Sequence, residues 1–449
     1  MDVLRRSGKW MASRPYHVLN ALFGLCVVAF LVAIPLPRKV PGMLFHSDGT
    51  YYFMYTHSLV IDHDLDFRDE YARLLPGSLP ATTPTGLPAN QFAVGPGLLW
   101  IPFFAVAHVL ALALRGLGAA VATDGYGYPY QVAICLGSMT YGFAGIVLMY
   151  RLVARYFAAT ALAATVLVWF GTNIIYYMVA EPSMSHMVSL FAVALFLFLW
   201  LRWRPIYTAR HWFMLGLAGG LVAIVRQPDA TWLVLPVLDR VLARQPSSLT
   251  QAVPDGIRYV AGFALVFSLQ MLTWKILYGN PLSSGYFYGG AQGFSWSAPR
   301  FFDMLLSLWR GIYPLHPLTL FATLGLARFY RADKRLAVLL GVGFAAQVYL
   351  ISSWGAQGDS FGGRMFIASL PALALGLAAL VDWAVAHRAG PVVWAIGAVL
   401  VVWNGLFMVQ YRFGYVPMGD SRYTLRQLTI GKVEMLGDLA HRLVGLFLR

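Results

Sequence analysis

The chain has 449 residues, 59% of them hydrophobic and only 12% charged, with a mean hydropathy of +0.64. Soluble domains carry roughly twice that charge, so an ordinary water-soluble enzyme or binding module is excluded, and apolar runs of bilayer-crossing length recur from end to end. The formal charge of +14 does not point to nucleic acid, because the bases occupy short loops between apolar runs rather than a patch or a known motif.

At the N-terminus, Arg5, Arg6, Lys9 and Arg14 precede an apolar run from about residue 18 to 36. No small-residue cleavage site follows, so the pattern predicts an uncleaved first helix with its N-terminus in the cytoplasm and residues 37–128 forming a first external loop. Within that loop, residues 46–71 hold the densest acidic cluster of the chain: Asp48, Asp62, Asp64, Asp66, Asp69 and Glu70. If Asp48 opens a helix, Tyr51, Tyr52 and Tyr55 follow at three, four and seven residues and share one face below a carboxylate. Such a face suits a polar, ring-shaped substrate; the plainer reading is an interfacial amphipathic helix with a solvated acidic tail. The stretch LLPGSLPATTPTGLPAN should lack regular structure. In the apolar segment 97–114, Pro96, Gly97 and Pro102 should break the first half, and His108 interrupts the second.

Later apolar runs lie near 131–150, 159–177, 187–201, 212–224, 232–238, 259–277, 312–326, 336–351, 365–381 and 392–408. Cys26 and Cys135 both fall inside apolar runs and suggest neither a disulfide framework nor a metal site. If 97–114 is re-entrant or interfacial, the loops rich in Arg and Lys all face the cytoplasm. The expectation is an all-α polytopic bundle of about eleven spans (roughly ten to thirteen) over residues 1–410. Run 232–238 is short for a span and must borrow flanking residues. Residues 411–449 are expected to form an external amphipathic helix on anionic lipid.

This topology gathers the unusual polar residues at the outer helix ends. They are Glu181 and His186; Arg226 and Asp229; Lys275; Arg310; and Trp354, Asp359 and Arg364. Ionisable groups at membrane depth are costly and usually face a cavity or a partner. The alternatives are plain ones. Arg226 and Arg364 could snorkel to headgroups, Arg310 could be interfacial, Glu181 a structural helix-end acid and His186 a packed histidine. Glu181 and His186, with first-loop acids, are also residue types that hold a divalent cation, although no repeated ligand spacing marks a site. Tyr286 and Tyr288, in a Gly-rich loop, read as a lid or as part of an aromatic belt.

In this order, SDGTYYF, DHDLDFRDEY, VGPGLLWIPFF, YYMVAEPSMSHMVSLF, GLAGGLVAIVRQPD, LWRGIYPLHP and WGAQGDSFGGR resemble the bacterial GT-C glycosyltransferase superfamily. The branch resembled is that of the protein O-mannosyltransferases and lipid A aminoarabinose transferases. The resemblance implies a polyprenyl-phosphate-linked sugar donor used at the outer face of the bacterial inner membrane, with a first-loop carboxylate acting on the acceptor. That role falls to Asp48, with Asp62 in reserve, because the family often shows an acidic pair where Asp48 is followed by Gly49. Arg226 stands where such enzymes meet the donor phosphate, and Arg364 and Arg310 are further candidates. Chemically, displacing a polyprenyl phosphate needs a base near the acceptor hydroxyl and cations at the leaving phosphate. Tyr51, Tyr52, Glu181, His186, Trp354 and Asp359 are the expected substrate contacts. The acceptor is left open among glycan, lipid and protein. A transporter or flippase for a lipid-linked or anionic substrate is the rival class, but no internal repeat supports it.

Overall fold

Backbone amides that enter hydrocarbon must be satisfied within their own segment, and the computed structural model is accordingly helical, with no named strand among the described residues. Those residues are 14–34, 42–45, 47–78, 81–204, 206–242, 252–290, 293–355, 361–418 and 422–447. In chain order the helices begin with α1 (Pro15–Val32), α2 (Asp48–His57), α3 (Arg68–Leu74), α4 (Gly95–Gly116) and α5 (Tyr128–Ala154). There follow α6 (Ala161–Gly171), α7 (Ile174–Val179), α8 (His186–Trp203), α9 (Ala209–Val225), α10 (Leu235–Leu242) and α11 (Ala252–Tyr278). The chain ends with α12 (Phe301–Leu305), α13 (Ile312–Leu315), α14 (Leu318–Phe329), α15 (Lys334–Ser353), α16 (Leu370–Ala386), α17 (Gly390–Arg412), α18 (Leu425–Leu428) and α19 (Ile430–Phe447). Eight helices are long and apolar enough to cross a membrane, and α6, α9 and α14 are shorter apolar helices. The protein is a multi-pass membrane protein.

The chain divides into two compact units, residues 1–152 with 177–293, and 153–176 with 294–449. In the first unit, α1 meets α5 through stacked Phe23 and Phe143. Helices α9 and α11 cross at glycines. A Cβ on Gly216 would lie 2.1 Å from the Tyr259 carbonyl oxygen, and one on Gly262 would lie 2.2 Å from that of Phe213. Small residues of this kind let helix backbones approach in the membrane, where lipid gives no hydrophobic drive to associate.

Two segments differ from the sequence reading in instructive ways. Helix α4 is continuous through Pro102, although a break was expected. Pro96 lies in the first turn, where no intrahelical N–H bond is lost, and Pro102 forfeits one. Helix α4 has the length of a span and packs on two sides: Gly97 abuts Tyr52 and Tyr55 of α2, Phe104 meets Phe53 and His57 edge-on, and Trp100 Nε1 donates to Ser138 of α5 at 2.8 Å. Near its end, Arg115 donates to Thr123. Its first half therefore runs alongside α2.

The short 232–238 run is extended by a different device. Residues Gln227–Val234 form a 3-10 helix that feeds α10. At about 2.0 Å per residue in the first half and 1.5 Å in the second, these segments reach about 28 Å. Buried acids fix both ends along α8. Ser189 donates to Asp229, and Trp200 Nε1 donates to Asp239, which also pairs with Arg204 at 2.8 Å. The eight long helices, α4 among them, the three shorter ones and this segment are the apolar elements of the described residues.

In the second unit, α14 and α16 cross with equal closeness, a Cβ on Gly325 lying 2.1 Å from the Gly376 carbonyl oxygen. The chain breaks between α6 and α7, and Asn404 of α17 donates to the freed carbonyls of Phe170 (2.8 Å) and Thr172 (2.7 Å). Lys432 of α19 is buried, donating to Gln410 at 3.0 Å and facing the Trp403 ring at 4.3 Å.

The α9–α11 crossing yields a direct expectation. Gly216→Ala forces a methyl into the Tyr259 carbonyl, and the cost should be about 1–3 kcal/mol, visible as a lower thermal unfolding midpoint in detergent. An unchanged midpoint would mean that the backbones are not in contact.

Candidate functional site

Asp48 begins α2, and the Ser47 hydroxyl donates to its Oδ1 at 3.1 Å. A carboxylate is favoured here by the N-terminal end of the helix dipole. Ser47 itself adopts φ 53°, so the chain enters α2 through a left-handed residue. The expected tyrosine face forms but divides its labour. Tyr55 is fully buried and donates toward the carbonyls of Phe92 (3.0 Å) and Asn90 (3.3 Å), a structural role. Tyr51 stacks on Phe92 at 4.9 Å. Tyr52 meets Phe92 and Trp100 edge-on. Tyr286 approaches the same Phe92 ring at 5.9 Å and hydrogen-bonds with Tyr52.

Arg226, at the end of α9, lies close enough to this cluster to act on Tyr286. Burial pushes the Tyr286 phenol well above its usual range; the Tyr52 hydroxyl and the Asp48 carboxylate add to the rise, and the Arg226 guanidinium opposes it. Tyr51 is raised by burial and then by Asp48. One aromatic cluster thus feels a carboxylate and a guanidinium together. Arg226 is buried, with Nη1 3.5 Å from Asp229 Oδ1, and the Arg226 carbonyl accepts the Asp229 amide at 3.0 Å.

Two glycines bring α2 and the end of α9 to the same place. A Cβ on Gly95 would lie 2.4 Å from the Ile224 carbonyl oxygen, and one on Gly97 would lie 2.7 Å from Tyr55 Cβ. The first turn of α4 is therefore wedged between the helix that starts at Asp48 and the one that stops before Arg226.

The Glu181–His186 turn lies against the start of α2. A Cβ on Gly49 would fall 2.8 Å from Ser183 Oγ and 3.0 Å from its carbonyl oxygen. The absence of a second acid after Asp48 thus has a steric cause: no side chain fits. Glu181 and His186 are both buried, and His186 packs edge-on to Tyr177 at 4.6 Å.

Asp62 takes a different place. It ends a π-helical turn, Ser58–Asp62, and lies 3.2 Å from His57 Nδ1, which is also 2.8 Å from Glu70 Oε1. Burial raises the Glu70 carboxyl above its usual range, outweighing the downward pull of its hydrogen bond with His57. Neither His57 nor Glu70 stood out in the sequence, where the only signal was acidic density in 46–71. Among the described residues these three form the one group of His, Cys, Asp or Glu with ligand-like spacing.

The remaining candidates belong to the second unit. Arg310 is buried with its guanidinium 3.6 Å from the Trp309 ring centre. Arg364, also buried, opens a 3-10 turn after Gly362 (φ 39°) and Gly363 (φ 57°). A Cβ on Gly363 would lie 3.3 Å from the Arg310 carbonyl, so the two arginines leave adjoining segments. Trp354 is buried near Phe294, and its carbonyl accepts from Arg300 at 2.8 Å. Asp359 lies outside the described residues.

The Arg226–Asp229 pair makes a testable point. Asp229→Ala removes a fully buried counter-charge and should destabilise the fold by about 3–5 kcal/mol, whereas Asp229→Asn, which keeps an acceptor for Ser189, should cost less. Equal unfolding midpoints for the two variants would show that the acceptor for Ser189, which Asn keeps and Ala lacks, is immaterial.

No family model and no curated protein matches the chain. Solved structures do. ArnT of Cupriavidus metallidurans, bound to undecaprenyl phosphate, aligns over 87% of this chain and 70% of its own, with 14% identity and a TM-score of 0.49. The apo oligosaccharyltransferase of Archaeoglobus fulgidus aligns over 88% and 55%, with 13% identity and a TM-score of 0.48. Oligosaccharyltransferase AglB of the same organism, with an inhibitory peptide and a dolichol-phosphate, aligns over 96% and 54%, with 12% identity and a TM-score of 0.42. The chain spans just over half the length of the two archaeal proteins.

Proposed function

We propose that the protein is a membrane glycosyltransferase that moves a sugar from a polyprenyl-phosphate-linked donor to an acceptor hydroxyl, at the outer face of the inner membrane. The observation that carries this reading is the convergence of Asp48 and Arg226 on the Tyr51, Tyr52, Phe92 and Tyr286 cluster. A carboxylate and a guanidinium near aromatic rings match the three needs of the reaction: a proton acceptor, a partner for phosphate and a platform for a sugar ring.

In this reading Asp48 accepts the proton of the acceptor hydroxyl as its oxygen bonds to the anomeric carbon. The carbon–oxygen bond to phosphate breaks with its electron pair, and Arg226 stabilises the charge that grows on the leaving phosphate. Attack opposite the leaving group inverts the anomeric centre. The apolar groove of about 550 Å³ between α4 and α5, lined by Phe103, Val106, Leu110, Val132 and Leu136 among others, suits a prenyl chain. It lies along the helix whose first turn touches the Asp48 helix. Glu181 and His186 are kept as substrate contacts near Ser183. The N-terminus is placed in the cytoplasm. The exposed Ile430, Val433 and Leu436 of α19 suit a helix resting on lipid at the outer surface.

Two measurements test the proposal. In a purified, folded preparation given a polyprenyl-phosphate sugar, Asp48→Asn should lower transfer by about 10²–10⁴-fold. Arg226→Ala should lower it by about 10²-fold or more, and Asp66→Asn, at a half-buried position that pairs with Arg68 rather than with this cluster, should leave it unaltered. Full activity in Asp48→Asn would remove the assigned base. In a chain free of Cys26 and Cys135, single cysteines at Ser47 and Ser183 should react with an impermeant thiol reagent from outside, and one at Ala332 should not. The opposite sidedness would place the site in the cytoplasm.

A further inference from the structure

At the far end of α2 from Asp48, His57 is held in a setting that demands a positive charge beside it. Its Nε2 lies 2.8 Å from the Asp124 carbonyl oxygen, which can only accept, so Nε2 carries a hydrogen. Its Nδ1 faces Glu70 Oε1 at 2.8 Å and Asp62 Oδ2 at 3.2 Å. Two carboxylates and an imidazole lone pair would repel one another unless a cation lies between them. That cation is either a proton, on Nδ1 or on Glu70 Oε1, or a metal ion.

Charge and hydrogen bonding favour the metal. An imidazolium with two carboxylates leaves a net negative charge around a fully buried Glu70, whereas a divalent ion with a neutral imidazole brings the group to neutrality. Glu70 Oε2 is buried and has no hydrogen-bond partner among the described residues. A proton on Nδ1 leaves that oxygen as it is; a metal can engage it. The three ligand atoms lie within 4.8 Å of one another, and ligands about 2.0–2.2 Å from a tetrahedral zinc are about 3.3–3.6 Å apart, a small adjustment from the observed spacings.

The surroundings have the form of an outer shell. The Nε2–H bond to a backbone carbonyl is the device that fixes tautomer and ring orientation in metal-bound histidines. Tyr126 stacks on the imidazole at 4.1 Å. Gly125, at φ 81°, lets the turn close over the ring, since a Cβ there would lie 2.6 Å from His57 Cδ2. An open polar cavity of about 500 Å³, lined by Asp62, Asp69, Arg73, Asp124 and Tyr126, gives a path for the ion and room for a water ligand.

We infer that His57, Asp62 and Glu70 form a binding site for a divalent metal of the zinc class, a clip that ties the end of α2 to α3 and to the 124–126 turn. One imidazole and two carboxylates suit zinc or manganese better than calcium or magnesium, which prefer all-oxygen shells. Nine residues of helix separate His57 from Asp48, about 14 Å along the axis, so the clip is distinct from the proposed transfer chemistry and does not depend on it.

The test uses the full-length protein in detergent, stripped with a chelator, exchanged and loaded with zinc chloride. One zinc per chain should remain after gel filtration. X-ray absorption on the unaltered protein should show a single imidazole with oxygen donors, a readout that needs no variant to fold. His57→Ala and Glu70→Gln should each weaken zinc binding by at least about tenfold, with Asp48→Asn binding as the parent does. Substoichiometric zinc in the folded parent would overturn the site and leave an imidazolium as the occupant. Zinc held without an imidazole ligand, or unaffected by His57→Ala, would overturn it equally.

Discussion

The closeness of backbone to backbone at the start of α4 is the constraint on which the candidate site rests. Gly95 and Gly97 are two residues apart and touch different partners, the last turn of α9 and the middle of α2. Any side chain at either position would force one partner to move. Pro96 between them keeps the turn stiff while giving up no hydrogen bond that the first turn would have made. The three residues therefore set the separation of Asp48 and Arg226 without touching any substrate.

The same logic governs the buried charges. Asp229 and Asp239 would each be costly in the membrane interior, yet they fix the two ends of a stretched segment against α8. The 3-10 half of that segment covers about a third more length per residue than an α-helix would. It thereby returns the chain to the opposite end of the unit within few residues, directly after Arg226. Asn404 does comparable work in the second unit, where its amide donates to carbonyls that a helix break has released. These polar groups are structural fixtures placed where regular hydrogen bonding fails.

Much of this was legible in the sequence. Apolar length and low charge pointed to an all-α multi-pass bundle, and the interval from Asp48 to Tyr51 and Tyr52 foretold a tyrosine face. What could not be read was set by tertiary contact. Proline suggested a broken α4 because its cost is normally judged in an isolated helix; here one proline falls in the first turn and the other forfeits a single bond. Asp62 seemed interchangeable with Asp48 because both belong to one acidic run, but a π-turn and a left-handed His63 swing it to the other end of α2. The partners of Phe92 and Tyr286 come from segments nearly two hundred residues apart, and no local pattern marks such a meeting. Gly49 was legible only as a departure from a familiar motif; the Ser183 backbone supplies its reason.

Helix α2 is short, yet its two ends are chemically opposite, and the helix itself accounts for the arrangement. Its amino end carries a partial positive charge that favours the Asp48 carboxylate, and its carboxyl end carries a partial negative charge that favours a cation near His57. Tyr55 and Thr56 pin the rod in between, Tyr55 to the 90–92 backbone and Thr56 to the Gly97 carbonyl at 2.9 Å. A rod held at its middle cannot change its tilt at one end without moving the other. Whatever fixes His57, Asp62 and Glu70 together therefore also limits the motion of Asp48, through ten residues of helix rather than through any direct contact.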